Sequence, residues 1–136
     1  MKFSMIAFLI FATLLSAQKK PSKKQMAAGL KIYSTTCFAC HQANGQGIAK
    51  VFPPLAKSDY LLKDKKRAIK QVILGSSGPI TVNGKVYNGT MPPQPLNDKQ
   101  IADVLTYVLN SWGNKGGTVS KKKVKKVRKK LKKKKK

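Results

Sequence analysis

Two thiols and one imidazole stand together in the stretch Cys37-Phe38-Ala39-Cys40-His41. A pair of cysteines two residues apart with a histidine directly after the second is the spacing that attaches c-type haem. The chemistry accounts for the spacing. Each thiol closes a thioether on one vinyl group of the porphyrin, and the next residue turns a ring nitrogen toward the iron. The chain of 136 residues holds 2 cysteines and 1 histidine, so no other thiol or imidazole is left for a competing site. A thioredoxin-like redox pair would need a βαβ pattern that is missing here. A structural zinc site needs four ligands, and this group offers three. A plain disulfide remains open to an exported chain.

Haem iron in an electron carrier usually takes a ligand on its second face, and a thioether suits it and raises the potential. Of the 4 methionines, Met1 and Met5 lie in an apolar N-terminal run, and Met26 falls on the apolar face of a predicted helix, which suits a core role. Met91 sits in the loop Asn88-Gly89-Thr90-Met91-Pro92-Pro93-Gln94-Pro95, stiffened by three prolines.

The elements that must position these groups follow in chain order. Met1–Ala17 has Lys2, an apolar run Phe3–Leu15 and small residues after it, the pattern of a secretory signal peptide cleaved near Ala17; an uncleaved membrane anchor is the alternative. Residues 18–24 form a polar linker. Ser22 is placed to cap a helix through Gln25–Tyr33 with Met26, Leu30 and Tyr33 on one face. Gly29 inside it implies close approach of another backbone, since a helical glycine costs roughly 1 kcal/mol relative to alanine. Gln42–Gly47 is a loop, and Val51-Phe52-Pro53-Pro54-Leu55 cannot be a long helix. Ser58 or Asp59 starts a short helical turn. Asp64–Leu74 is a helix with Ala68, Ile69, Val72 and Ile73 inward, ended by Gly75. Residues 80–87 form a hairpin around Asn83-Gly84. Asn97 caps a last helix through Asp98–Ser111, with Ile101, Val104, Leu105 and Val108 on one stripe. Gly116-Gly117 opens a flexible joint over residues 114–120.

Cys37–His41, Pro54-Leu55, Thr90-Met91-Pro92-Pro93 and Tyr107-Val108-Leu109-Asn110-Ser111-Trp112 resemble class I c-type cytochromes of bacteria over about residues 25–113. The resemblance implies a small all-α fold of three to five helices around one haem, here with the hairpin added. It implies one haem c bonded to Cys37 and Cys40, with His41 and Met91 as axial ligands to the iron. The carbonyl of Pro54 would accept the other ring N–H of His41, and Leu55 would pack on the haem face. Gly29 and Tyr33 would cross the last helix near Tyr107. The hairpin form is similar to cytochrome domains found beside terminal reductases and oxidases.

The formal net charge is +25, and 13 of the 29 basic residues fall in Lys121–Lys136. Only Val124, Val127 and Leu131 interrupt that tail. Their spacing would align on a helix, but like charges at i,i+4 oppose one, so a disordered polylysine tail over residues 121–136 is expected. It would dock to an acidic redox partner or an anionic membrane surface. Export and a haem argue against nucleic acid as the natural partner. The expected function is that of an exported, periplasmic, monomeric one-electron carrier with no catalytic residue. A haem-based ligand binder or peroxidase, or the cytochrome subunit of a terminal reductase or oxidase, is the alternative.

Overall fold

The structure is a computed structural model that describes residues 19–134; the expected signal segment Met1–Ala17 lies outside them. The described residues form six helices and one two-stranded hairpin: α1 Lys23–Thr36, α2 Phe38–His41, α3 Asp59–Lys63, α4 Lys65–Leu74, β1 Ile80–Val82, β2 Lys85–Tyr87, α5 Asp98–Val108 and α6 Lys121–Lys134. The all-α expectation with an added hairpin is met. Among the described residues no helix is long and apolar enough to cross a membrane.

Local chemistry starts the helices where the residue types placed them. Ser22 Oγ accepts the Gln25 N–H at 3.1 Å and opens α1. Ser58 caps α3 through Leu61 N–H, and Asp64 caps α4 through Lys66 and Arg67 N–H. Asn97 and Gln100 form a reciprocal capping box at the start of α5. The hairpin pairs Ile80 with Tyr87 and Val82 with Lys85. Its turn residues Asn83 and Gly84 both have positive φ, 50° and 75°, as a primed two-residue turn demands.

The fold is built on the crossing of α1 and α5. A Cβ added to Gly29 would collide with the Asp103 carbonyl oxygen and lie 2.5 Å from Tyr107 Cβ. Only glycine lets the two backbones come so close. This contact centres the buried face of α1 on Gly29 and Tyr33. Leu30, expected on that face, is rotated away and is 46% exposed, and Met26 is half-buried. On α5 the stripe Ile101, Val104, Leu105 and Val108 is buried, as are Ala102 and Leu109. Regular helix ends at Val108, three residues short of the expected end, and a series of turns carries the chain to Trp112, whose φ is 53°.

The C-terminal region differs from the expectation. Residues 114–120 are a packed strap, not a flexible joint. Asn114 is buried: its Nδ2 donates to the carbonyls of Val108 and Leu55, and its Oδ1 accepts the Lys57 N–H at 2.7 Å. Asn110 Nδ2 donates to the Gly117 carbonyl, and Thr106 Oγ1 accepts the Val119 N–H at 2.9 Å. These side-chain bonds, with the Gly116 N–H donating to the Leu109 carbonyl, tie the strap to α5.

The tail, expected to be disordered, is helix α6. Val124 and Val127 are buried in the core, Leu131 packs against it, and α6 lies on α4 and α5. Each like-charge i,i+4 pair opposes the helix by roughly 0.2–0.5 kcal/mol. Burying each aliphatic side chain returns about 1.5–3 kcal/mol, so packing wins. Ser120 Oγ accepts the Lys123 N–H and starts the helix.

Candidate haem site

The Cys-x-x-Cys-His stretch lies at the turn from α1 into α2. Cys37 N–H donates back to the Tyr33 carbonyl, and His41 N–H donates to the Cys37 carbonyl, both at 2.9 Å. Beneath it sits an aromatic cluster. Tyr33 lies 5.5 Å from Tyr107 and 5.1 Å from Trp112 between ring centres, and its hydroxyl donates to the Gln42 carbonyl at 2.6 Å. Burial raises the Tyr33 phenol well above its usual value, with further contributions from Cys37 and Tyr107. It therefore stays a neutral donor. Trp112 Nε1 donates to the Ala43 carbonyl, which ties the loop after His41 to the end of α5.

Cys37, Cys40 and His41 line one cavity of about 310 Å³, whose wall is chiefly apolar. Leu55, Leu61, Val72, Val82 and Leu105 contribute to it, and so does Met91. The volume is at the small end of ordinary ligand sites. Both thiols are free, so they are not joined as a disulfide. Burial pushes the Cys37 thiol up to about 11, with Cys40 adding to the shift.

The His41 ring is held by the chain before any ligand is considered. Its Nδ1 lies 3.1 Å from the Pro53 carbonyl oxygen. A carbonyl only accepts, so Nδ1 carries the proton and Nε2 the lone pair. Burial holds the ring's pKa below the usual histidine value, although the Pro53 bond works the other way. The acceptor was expected to be Pro54 and is Pro53. Just upstream, Ile48 and Phe52 exchange backbone hydrogen bonds, and the Phe52 carbonyl is taken by the Ile48 N–H. The first carbonyl after that bridge is that of Pro53, and it meets the imidazole. Pro54 lines the cavity instead, and Leu55 both lines it and packs on the core.

Met91 is brought to the same cavity by Ser76. The two residues exchange backbone hydrogen bonds of 2.8 Å in each direction. Gly75 permits this approach, since a Cβ there would lie 2.5 Å from the Met91 carbonyl oxygen, and its φ is +75°. Met91 is half-buried and packs against the core, whereas Met26 is not in the cavity wall.

Two free thiols, an imidazole with its lone pair on Nε2 and a thioether share one apolar wall. That set of donors fits a haem joined through two thioether links. Comparison with known proteins agrees. The cytochrome c family model matches residues 26–112. The chain belongs to the cytochrome c family. It is 40% identical over 119 residues to a cytochrome c-552 of Thermus thermophilus, covering 84% of this chain and 74% of that protein. A second Thermus thermophilus cytochrome c-552 is 43% identical over 93 residues, 65% of this chain and 70% of that one. The cytochrome c subunit of a quinone alcohol dehydrogenase from Gluconobacter oxydans is 33% identical over 105 residues, 74% of this chain but 22% of that subunit. This cytochrome is thus a class I monohaem protein with one covalently bound haem c, and it transfers electrons instead of catalysing a bond-making reaction.

Residues that the motif did not flag also shape the cavity. Pro53 was overlooked in favour of its neighbour. Tyr60, Gln71 and Ser76 supply a polar corner. Asn114 pins Leu55 to α5 from almost sixty residues away, a contact with no local signal.

Proposed function

We infer that this cytochrome is an exported one-electron carrier, with His41 and Met91 as the axial ligands of its iron and an acidic redox protein as its docking partner. The observation that carries the ligation is that the His41 imidazole and the Met91 thioether line one cavity with Cys37 and Cys40. Haem c supplies the redox chemistry, one electron at its iron. The chain supplies orientation and dryness. Pro53 holds the His41 ring and raises its basicity. Ser76 and the flanking prolines fix Met91, whose thioether favours the reduced state. Were His41 and Met91 both to hold the iron, no position would remain for a substrate, which disfavours the peroxidase and ligand-binder readings.

The lysines of α6 support the partner's chemistry. The apolar residues of α6 are spent on the core, so the helix has no apolar face for insertion into a bilayer. What it presents outward is positive charge, and charge acts on encounter rate with an acidic protein. The relatives that are cytochrome subunits of dehydrogenases also fit a redox-protein partner. Export rests on the pattern of Met1–Ala17.

The deciding experiment is the red spectrum of the oxidised protein. A thioether-to-iron charge-transfer band that disappears in Met91→Ala and persists in Met26→Ala is the expected result. A band unaffected by Met91→Ala rejects the ligation. Recovery of mature protein from the periplasm, with an N-terminal mass lacking Met1–Ala17, tests export.

A further inference from the structure

The haem cavity and helix α6 take different faces of the α4–α5 pair. Ala68 and Val72 of α4, with Val104, Leu105 and Val108 of α5, are buried and line the cavity. Ile69, Ile101, Ala102 and Leu109, from the same two helices or their ends, are buried but take no part in its wall. Val124 and Val127 of α6 belong to that same core, and no residue of α6 lines the cavity. Leu96 stands between the two: it lines the cavity, while its carbonyl accepts from Arg128 of α6.

The exposed rim of the cavity is built from other segments. Val51, 48% exposed, borders it together with Gly89, Thr90 and Pro92, which are exposed as well. Val51 and Gly89 approach closely, since a Cβ added to Gly89 would lie 2.9 Å from the Val51 carbonyl oxygen. The opening therefore lies between the Val51 turn and the Met91 loop.

Helix α6 carries ten lysines and no acidic residue, and all ten lysines are exposed. Its one arginine is already paired with Asp98. The cationic surface continues onto α4, where partial burial and the nearby charge of Lys123 hold the Lys65 amine below the usual lysine value. The complement of such a surface is a run of carboxylates. A partner whose redox centre sat at that contact would exchange electrons poorly. First α6 and then the α4–α5 pair would separate the two centres, and packed helices lie about 8–10 Å apart. Electron transfer falls steeply with distance.

We propose that α6 is an anchor: it grips an acidic segment of the redox partner that is separate from the partner's redox centre, and it leaves the rim at Val51 and Thr90 free for electron exchange. This rests on the acidic redox partner inferred above, and adds which part of that partner is held and on which face. The step at the rim moves one electron between the haem iron and the partner's centre. One is oxidised as the other is reduced, and no bond is made or broken.

Oligoglutamate stands in for the acidic segment without a redox centre, and is added to the reduced, haem-loaded full chain at low salt. Amide NMR shifts of α6 and Lys65 are expected to move, while those of Val51, Gly89 and Thr90 stay. Lys126→Gln, Lys129→Gln and Lys130→Gln combined should weaken the binding by roughly tenfold, within the range of three exposed ion pairs. Val51→Glu, which sets a negative charge on the rim, should leave it unchanged. Reduction of the oxidised haem by a neutral flavin semiquinone, which gives up one electron and its proton to become oxidised flavin, should keep its rate under saturating oligoglutamate. Exchange with an acidic redox protein should slow under the same conditions, because the anchor is taken. Shifts confined to the rim, or a semiquinone rate that falls several-fold, overturn the proposal, since the acidic segment would then sit over the opening. So does exchange with the acidic redox protein that oligoglutamate leaves untouched. Tighter binding of α6 to phosphatidylglycerol vesicles than to oligoglutamate overturns it in favour of a membrane. An acidic redox protein that does not react at all sinks the partner reading instead, and the oligoglutamate footprint still reports which face α6 offers.

Discussion

Arg128, near the middle of α6, donates through Nε to Asp98 Oδ1 at 2.6 Å and through a terminal nitrogen to the Leu96 carbonyl at 2.9 Å. It thereby fastens the C-terminal helix to the segment between the Met91 loop and α5. Together with Val124 and Val127, it makes α6 part of the folded domain. Removing the helix by ending the chain at Ser120 should therefore cost several kcal/mol of stability, and Val124→Ala alone about 2 kcal/mol. Urea unfolding followed by circular dichroism measures both. Added salt should raise the stability of the parent and leave the truncated chain less affected, because it screens lysine–lysine repulsion along α6. Equal midpoints for the truncated and full chains would show that α6 contributes nothing to the fold.

The crossing of α1 on α5 gives a second expectation. A methyl group at Gly29 would meet the carbonyl of Asp103, a backbone atom that cannot rotate aside. Gly29→Ala should destabilise by about 1–3 kcal/mol, as overpacking does, even though alanine is the better helix former. A thermal midpoint equal to or above the parent's would contradict the packing described.

Covalent attachment gives a third. Haem should stay with the protein through acid–acetone extraction, because thioethers survive it. Cys37→Ala or Cys40→Ala should each leave a single, weaker attachment, and the double variant should lose haem to the solvent layer. Pyridine haemochrome spectra report the number of surviving vinyl groups directly.

The parts of the fold that a residue and its near neighbours decide were legible in the chain. Ser22, Asp64 and Asn97 cap helices using backbone groups two or three positions away, and Asn83-Gly84 carries its own turn geometry. The gathering of Cys37, Cys40 and His41 follows from their spacing. What escaped depends on partners far along the chain. Which of Pro53 and Pro54 meets His41 depends on where the Ile48–Phe52 bridge leaves the chain. The order in residues 114–120 comes from Asn110 and Asn114 side chains reaching across the fold. For α6 the apolar spacing was visible, but the surface that would receive it was not, and like-charge repulsion alone argued for disorder. Leu30 was placed one helical position too far round because the closeness at Gly29 sets the true centre of the α1 face.

Met91→Ala is expected to lower the reduction potential and to open the iron to cyanide and carbon monoxide, which the parent should bind poorly. Met26→Ala should leave both properties unchanged. Met26 is only half-buried, so its loss should cost less than ~2 kcal/mol, below the range for a fully buried methionine. Stopped-flow ligand binding and redox titration read the two variants side by side, and fast cyanide binding by the parent would argue against a sixth ligand.

Docking is where the folded α6 changes what its charge can do. A disordered tail would spread its lysines over many positions and follow any polyanion. A 14-residue helix fixes them along a rod about 21 Å long. Lys125, Lys126, Lys129, Lys130 and Lys133 lie outside its buried Val124–Val127 stripe and are exposed. Charges held at fixed places steer a partner's approach, and their reach is about one Debye length, ~8 Å at physiological salt. Replacing Lys126, Lys129 and Lys130 together with glutamine keeps helix propensity and the buried face while removing three charges. That variant should fold and load haem as the parent does. Its second-order rate of electron transfer with an acidic redox protein should fall by roughly tenfold at low ionic strength, within the range that steering supplies, and converge with the parent's as salt rises. Its binding to anionic vesicles, measured in parallel, should change less than the rate with the acidic protein. Rates unchanged at low salt would remove α6 from the docking surface, and a larger loss on vesicles than on the protein would make lipid the better reading of its charge.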